Sequence, residues 1–141
     1  MREILFRGKR KDTGEWVRGC FGQHTSLDAF IIDRPYPTAA GDWSALGFYE
    51  VEPNTVGQYT GLSDKNGKRI FEGDILDFQI NIKMKIRGKV IFARGGFQFE
   101  SPGFEEEYGG SVNFDSDVIA FSSSCLEVIG NIYDNPDLLL D

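Results

Sequence analysis

The sequence contains few of the residues that active sites and metal centres commonly use. It has one histidine, His24, and two cysteines, Cys20 and Cys125, among 141 residues. Any Ser-His or Cys-His catalytic pair would need His24, whose neighbours Gly-Gln-His-Thr-Ser are typical of a solvated loop. The cysteine spacing matches no zinc or redox motif, which predicts two buried free thiols in a reducing compartment. We therefore expect no catalytic residue, no cofactor and no metal site built on these side chains.

Long apolar runs are also missing. The chain starts Met1-Arg2-Glu3 and enters a short strand pattern at once, so we expect no signal peptide, no membrane span and a cytoplasmic location. The net charge of −7 argues against binding a phosphate backbone over the whole surface, although it leaves room for a local basic face.

The chain is instead rich in phenylalanine and glycine, with 12 and 17 of them. This composition favours strands and tight turns over helices. A β-hairpin is predicted around the polar turn 11–14, between strands at 2–8 and 16–21. Residues 34–47, with two prolines and two glycines, are typical of a loop and a domain boundary. The only helix expected is one turn after Asn135-Pro136, where Asn precedes Pro as an N-cap would.

The second half of the chain carries the clearest strand signals. Asn66-Gly67 is typical of a type I′ hairpin turn. Apolar residues then occupy every second position from Leu76 to Ile86, which predicts a sheet with one buried face and one wet face. This segment could be one long strand or a hairpin that turns near residues 81–83. In Glu72-Gly73-Asp74 we expect a structural role, with Gly in a tight bend and Asp accepting backbone N–H bonds.

Four segments together resemble one protein family. They are the opening Arg-Glu-Ile-Leu-Phe-Arg-Gly-Lys, the Gly-Glu-Trp-Val after the first turn, the central Thr-Val-Gly-Gln-Tyr-Thr-Gly-Leu-Ser-Asp-Lys-Asn-Gly-Lys-Arg-Ile-Phe-Glu-Gly-Asp-Ile, and the closing Val-Ile-Gly-Asn-Ile-Tyr-Asp-Asn-Pro-Asp-Leu-Leu. They resemble the YopX family of small proteins encoded by bacterial phages and prophages, over about residues 2–140. The resemblance implies a mainly β protein whose C-terminal half is an SH3-like small barrel. It implies no enzymatic activity and no catalytic residue, because the family has no assigned biochemical function.

The predicted fold is thus mainly β with very little helix. An N-terminal β-hairpin or sheet region would span residues 1–58, and an SH3-like barrel would span 59–141. The two could also form one compact unit.

Two binding functions follow from the residues. Protein binding or self-assembly, in the cytoplasm of the bacterial host, is the first hypothesis, because SH3-like surfaces present aromatic grooves and strand edges. Its candidate contacts are Trp43, Phe48, Tyr49 and Tyr59. The alternative is nucleic-acid binding through a set of basic side chains that we call the basic strand, Lys83, Lys85, Arg87 and Lys89. A divalent cation at the acidic segment 101–117, through Glu105–Glu107 or Asp115 and Asp117, is a third hypothesis and would imply a hydrolase.

Overall fold

The computed structural model describes residues 3–93, 95–101, 111–113 and 123–140. These residues form antiparallel sheets joined by short turns, which confirms the prediction of a mainly β protein with little helix. The strands are β1 (Phe6–Lys9), β2 (Trp16–Gly22), β3 (Ala29–Pro37), β4 (Trp43–Val51), β5 (Gly57–Ser63), β6 (Arg69–Phe71), β7 (Asp74–Asn81), β8 (Met84–Ala93), β9 (Gly96–Glu100), β10 (Ser111–Asn113) and β11 (Leu126–Asn131). Single 3₁₀ turns lie at Pro53–Thr55, Ser123–Cys125 and Pro136–Leu139, the last of them as predicted.

The chain divides into two compact units, Met1–Tyr59 and Thr60–Asp141. The predicted division, between residues 58 and 59, differs from this by one position. In the first unit the strands are hydrogen-bonded in the order β4-β3-β2-β1, and β1 also pairs with the first residues of β5. The core of this unit consists of apolar side chains from β1 to β4 and the segment after them: Ala29, Ile31, Val51, Phe6, Val17 and Val56.

The second unit contains a five-stranded sheet in the order β10-β9-β8-β7-β11. The described strands form an open sheet and no closed barrel, since β10 and β11 lie at opposite ends of it, and the SH3-like form that the family resemblance implies stays a prediction. The free edge of β11 is instead covered by the turn between β5 and β6, because Lys65 N–H donates to Leu126 C=O. The buried core consists of Ile70, Leu76, Phe78, Val90, Phe97, Phe99 and Leu126.

The predicted loop at residues 34–47 is wrong. β3 continues to Pro37 and β4 begins at Trp43, so most of this segment forms a long hairpin. The prolines are tolerated because β2 pairs with β3 only as far as Ile32, so the end of β3 that contains them pairs with β4 alone and lies at a sheet edge. Arg34 has a φ of 47°, the one positive φ among the described non-glycine residues, and this marks a local distortion of β3.

The alternating segment 76–87 forms a hairpin and not one long strand. β7 and β8 pair from Ile75↔Lys89 to Asn81↔Met84, with an irregularity between Gln79 and Asn81. The predicted buried face therefore holds for Leu76 and Phe78 but is lost at the turn, where Ile82 is 95% exposed.

The type I′ turn predicted at Asn66-Gly67 is also wrong in detail. Gly67 has a φ of 80°, whereas Asn66 does not have a positive φ. Gly67 N–H donates to Asp64 C=O, and Asp64 N–H donates to Lys68 C=O. A longer loop that contains one glycine of positive φ is another common way to connect the two strands of a hairpin.

Candidate functional site

Strand β4 exposes large apolar side chains at the outer end of the first unit's sheet. Trp43 is 70% exposed, Phe48 63% and Leu46 61%. Phe48 packs against Phe30 of β3, with ring centroids 5.0 Å apart. Leu46 and Phe48 are two positions apart and share one face of β4, whereas Trp43 belongs to the opposite face at the start of the strand. Single exposed apolar residues are normal, but two neighbours on one face indicate a contact surface.

Three of the four predicted protein contacts lie on this strand. Trp43, Phe48 and Tyr49 all belong to β4. Tyr59 lies in β5, is half-buried, and its N–H donates to Leu5 C=O at 2.7 Å. The structure therefore places the first three residues on one strand, with Trp43 about 20 Å along it from Tyr49, and leaves Tyr59 apart from them in the sheet order.

The C-terminal end of β4 forms one wall of a groove. The guanidinium of Arg10 lies over the ring of Tyr49, 4.5 Å from its centroid. The cavity beside this pair has a volume of about 220 Å³. We call it the aromatic groove, and its walls are Arg10, Lys11, Asp12, Phe48, Tyr49 and Glu50.

The turn between β1 and β2 builds the other wall. Gly14 has a φ of 75° and its N–H donates to Arg10 C=O, which closes the turn. Lys11 N–H then donates to Glu50 C=O at 3.1 Å, and Glu52 N–H donates to Lys9 C=O at 2.8 Å. These bonds cover the end of β4 and fix Arg10 above Tyr49.

The charges in the aromatic groove are paired within it. Arg10 donates from Nε and Nη2 to the two carboxylate oxygens of Asp12, at 2.9 and 2.7 Å. This hydrogen bonding raises the pKa of Arg10 and lowers the pKa of Asp12. Lys11 Nζ lies 3.2 Å from Glu50 Oε2. Two cations facing two carboxylates leave a groove without net charge, which favours a neutral occupant over a free ion.

The basic strand is partly neutralised by its neighbours. Arg87 donates from Nε to Asp77 Oδ1 at 2.9 Å, which raises the pKa of Arg87. Lys89 Nζ lies 3.5 Å from Glu100 Oε1. Lys83 is in the hairpin turn and Lys85 lies opposite Gln79. Only Lys83 and Lys85, both exposed, are without a carboxylate partner within the part of the chain that the structure describes.

The central family segment has a structural role. Asp64 Oδ1 accepts from the N–H groups of Asn66 and Lys68, both at 2.9 Å. Its Oδ2 accepts from Val128 N–H, 64 positions along the chain, at 2.9 Å. One carboxylate thus holds the turn between β5 and β6 against β11.

The Glu72-Gly73-Asp74 motif and the closing family segment also have structural roles. Asp74 is 1% exposed, and its Oδ2 accepts from Phe71 N–H at 2.7 Å, which confirms its predicted role. Gly73 has a φ of 93°, and a Cβ there would lie 2.9 Å from the Tyr133 ring. In the closing segment Asn135 does not cap the 3₁₀ turn as predicted, and its Oδ1 accepts from Asn131 N–H instead.

The remaining candidates carry no site in the described residues. His24 is exposed on its loop and lies 3.5 Å from Asp28. Cys125 is half-buried, but Cys20 is exposed, so the expectation that both thiols are buried is wrong for Cys20. No group of three metal-binding side chains occurs in the described ranges, and Glu105–Glu107, Asp115 and Asp117 lie outside them. No helix among the described residues has the length and apolar character needed to cross a membrane.

Sequence reasoning missed two parts of the β4 surface. Because residues 34–47 were predicted to form a loop, Leu46 was not recognised as a strand residue, although it lies two positions before Phe48. Arg10 was not among the predicted contacts, because its stacking on Tyr49 joins segments 39 positions apart, which no local pattern shows.

Comparison with known proteins gives a family and two similar folds. The family model described as "YopX protein" matches residues 5–140. Protein EF1440 from Enterococcus faecalis has a crystal structure with a TM-score of 0.57 and 23% identity, covering 99% of both chains. The X-ray structure of protein yopX from Bacillus subtilis has a TM-score of 0.53 and 18% identity, covering 100% of this chain and 98% of the other. None of the curated proteins matches this chain.

Proposed function

The chain belongs to the YopX family, and we propose that it is a phage or prophage accessory protein that acts by binding protein, including copies of itself, and not by catalysis. Its site of action would be the cytoplasm of the bacterial host. The observation that carries this proposal is the exposure of Trp43, Leu46 and Phe48 on β4.

Physical reasons favour a protein partner for this surface. Trp side chains dominate protein contacts because they bury a large area at a small cost in conformational entropy. Exposing Trp43 and Phe48 to water costs free energy, since about 25 cal/mol is lost for each Å² of apolar surface left uncovered. A protein partner would recover that free energy.

A tagged pull-down from host lysate tests the proposal. The wild-type chain, a Trp43→Ser/Phe48→Ser variant and an Ile82→Ser control are compared after nuclease treatment, with bound proteins identified by mass spectrometry. Ile82 is 95% exposed but lies in the second unit, so it controls for general stickiness. We expect retention of the chain itself or of a specific partner by wild type and control and its loss from the double variant. Equal retention by all three would contradict the proposal.

Nucleic-acid binding remains the alternative function. It is supported by Lys83 and Lys85, which are exposed and alternate with Ile82 and Met84 at the end of the β7–β8 hairpin. With Arg87 and Lys89 in ion pairs, two free cations predict weak and strongly salt-dependent binding.

Charge reversal separates the two functions. A Lys83→Glu/Lys85→Glu variant should lose binding to single-stranded DNA at low salt if the alternative is right. The same variant should keep the protein contacts of β4 if the first proposal is right, because both lysines lie in the second unit.

A further inference from the structure

The tip of the β7–β8 hairpin carries the most exposed large apolar side chain among the residues that the structure describes. Ile82 is 95% exposed, and Met84 close to it is 50% exposed. Lys83 and Lys85 alternate with them. We propose that this hairpin tip, residues 81–85, binds the surface of an anionic lipid bilayer, with both apolar side chains in the outer acyl region and both ammonium groups at lipid phosphates. This activity goes beyond the protein contacts of β4 and lies in the other unit.

The local geometry of the turn does not account for an isoleucine. Ile82 and Lys83 occupy the two positions between the paired residues Asn81 and Met84. Two-residue hairpin turns favour Asn, Asp and Gly, which tolerate positive φ angles or bond to the nearby backbone. Neither Ile82 nor Lys83 has a positive φ. Because the turn gives no reason for a β-branched apolar residue, its exposure next to an exposed methionine favours a contact outside the chain.

Side chains at the base of the turn hold the hairpin tip in place. Asn81 Oδ1 accepts from Lys83 N–H at 2.8 Å. Gln79 Nε2 donates to the backbone C=O groups of Asn81 and Met84, the latter at 3.1 Å. Ile86, two residues along β8 from Met84, packs against the core of the second unit. The hairpin tip is thus preorganised, so its binding to a surface costs little conformational entropy.

The positive charge of this hairpin is concentrated at its tip. Arg87 and Lys89 are paired with Asp77 and Glu100. Positions 79–85 contain no acidic residue. Because the chain as a whole carries a net charge of −7, an anionic surface attracts the hairpin tip and repels the remainder of the molecule. The contact would therefore be limited to the tip.

The aliphatic side chains favour lipid over nucleic acid at this place. Proteins hold unpaired bases on aromatic rings, and positions 79–85 contain no aromatic residue. Ile82 gains free energy on entering hydrocarbon, while the long stems of Lys83 and Lys85 let their ammonium groups reach the phosphates. Two apolar and two basic side chains give weak and reversible attachment, at most comparable to that of one myristoyl chain, whose association constant is about 10⁴ M⁻¹.

Cosedimentation with lipid vesicles tests the inference. The full chain is mixed with vesicles of phosphatidylcholine alone or of phosphatidylcholine and phosphatidylglycerol in equal parts, and it should bind only the second kind. Ile82→Ser should weaken this binding about tenfold. Leu27→Ser, at a residue 82% exposed in the first unit, should leave it unchanged. A wild-type chain that does not bind anionic vesicles, or an Ile82→Ser chain that binds them equally well, would overturn the inference.

Neutralisation of the two lysines tests the electrostatic part. Lys83→Gln/Lys85→Gln should lower the binding to anionic vesicles about fivefold for each lysine removed. Lys11→Gln/Lys68→Gln removes the same charge elsewhere on the chain and is the matched control, with little expected loss. Equal losses in both double variants would show that only the net charge matters, and this result would contradict a site at the hairpin tip.

An indole placed at the hairpin tip reports whether the tip enters the bilayer. The emission of Ile82→Trp, measured as a difference from wild type, should shift to the blue when anionic vesicles are added, because the indole leaves water. The same measurement on Leu27→Trp should show no shift. An indole at position 82 whose emission stays that of an indole in water would exclude insertion.

Failure of this inference can be told apart from failure of the proposed function and of its alternative. If Lys83→Gln/Lys85→Gln loses binding to single-stranded DNA while the wild-type chain binds no vesicles, the hairpin tip is a nucleic-acid site and the lipid inference is wrong. Neither result affects the protein contacts of Trp43 and Phe48, which lie in the other unit and are tested by the pull-down.

Discussion

Among single residues, Asp64 joins its own turn to a distant strand. It is 7% exposed, and it accepts two backbone N–H bonds within the turn, from Asn66 and Lys68, and a third from Val128 of β11. A buried carboxylate in such a position satisfies donors that no other group in the turn can reach.

We expect Asp64→Asn to destabilise the protein by about 1–3 kcal/mol, because the amide keeps one acceptor oxygen and places an NH₂ group against a backbone donor. Chemical denaturation measures the loss. Asp137→Asn, at an exposed position, is the matched control and should change the free energy of unfolding little. If Asp64→Asn lost no more unfolding free energy than Asp137→Asn, the three hydrogen bonds would contribute nothing to stability.

The same carboxylate predicts a pH dependence. Burial acts to raise the pKa of Asp64, but bonds from Val128, Lys68 and Asn66 outweigh it, and the pKa is lowered. A lowered folded pKa gives stability that is fully present above the unfolded value of about 3.9 and is lost as the pH falls through the folded pKa. The difference in stability between wild type and Asp64→Asn should therefore shrink in acid. A constant difference from pH 7 to strong acid would be evidence against this account.

Among the elements, the β7–β8 hairpin carries two kinds of basic side chain, one kind paired with carboxylates and the other exposed to solvent. Arg87 and Lys89 are held by Asp77 and Glu100, while Lys83 and Lys85 extend into solvent. Only the paired cations have a role in the folded state that a stability measurement can detect.

We expect Arg87→Gln to cost about 1 kcal/mol, because it leaves the nearly buried carboxylate of Asp77 without its charged donor. Lys85→Gln on the same strand should stay within about 0.5 kcal/mol of wild type. Urea denaturation of both variants is the measurement. A larger loss of unfolding free energy for Lys85→Gln than for Arg87→Gln would contradict our assignment of Arg87 as the paired cation and Lys85 as the exposed one.

For the molecule as a whole, the net charge of −7 sets the response to salt. Two copies repel each other at long range, and salt screens this repulsion as the Debye length falls from about 30 Å at 0.01 M to 8 Å at 0.15 M. Self-association should therefore strengthen between these conditions, as measured by sedimentation equilibrium. Nucleic-acid binding has the opposite dependence, so the sign of the salt effect separates the two functions.

The sequence predicted the parts of the fold that local chemistry determines. The turn at Gly14, the bend at Gly73 with its carboxylate at Asp74, and the 3₁₀ turn at Pro136 all follow from residue types within a few positions. The alternation from Leu76 was correct up to the hairpin turn near residues 81–83, where Asn81 Oδ1 accepts from Lys83 N–H.

The remainder depends on long-range pairing. Asp64 is tied to Val128, and Arg10 to Tyr49, across separations that no window of sequence includes. The strands through Pro35 and Pro37 were missed because proline and glycine are typical of loops, and here the prolines lie where β3 pairs with β4 on one side only. The candidate aromatic residues were found from composition alone, whereas the groove beside them required the fold.

The covered end of β4 also limits aggregation. An exposed strand with several apolar side chains is a template on which further chains can add and grow into fibrils. The β1–β2 turn occupies part of the β4 edge, because Lys11 N–H donates to Glu50 C=O and Glu52 N–H donates to Lys9 C=O. Backbone groups that are already bonded within the chain cannot pair with a further strand, so the same turn that builds the groove shortens the edge on which a fibril could grow.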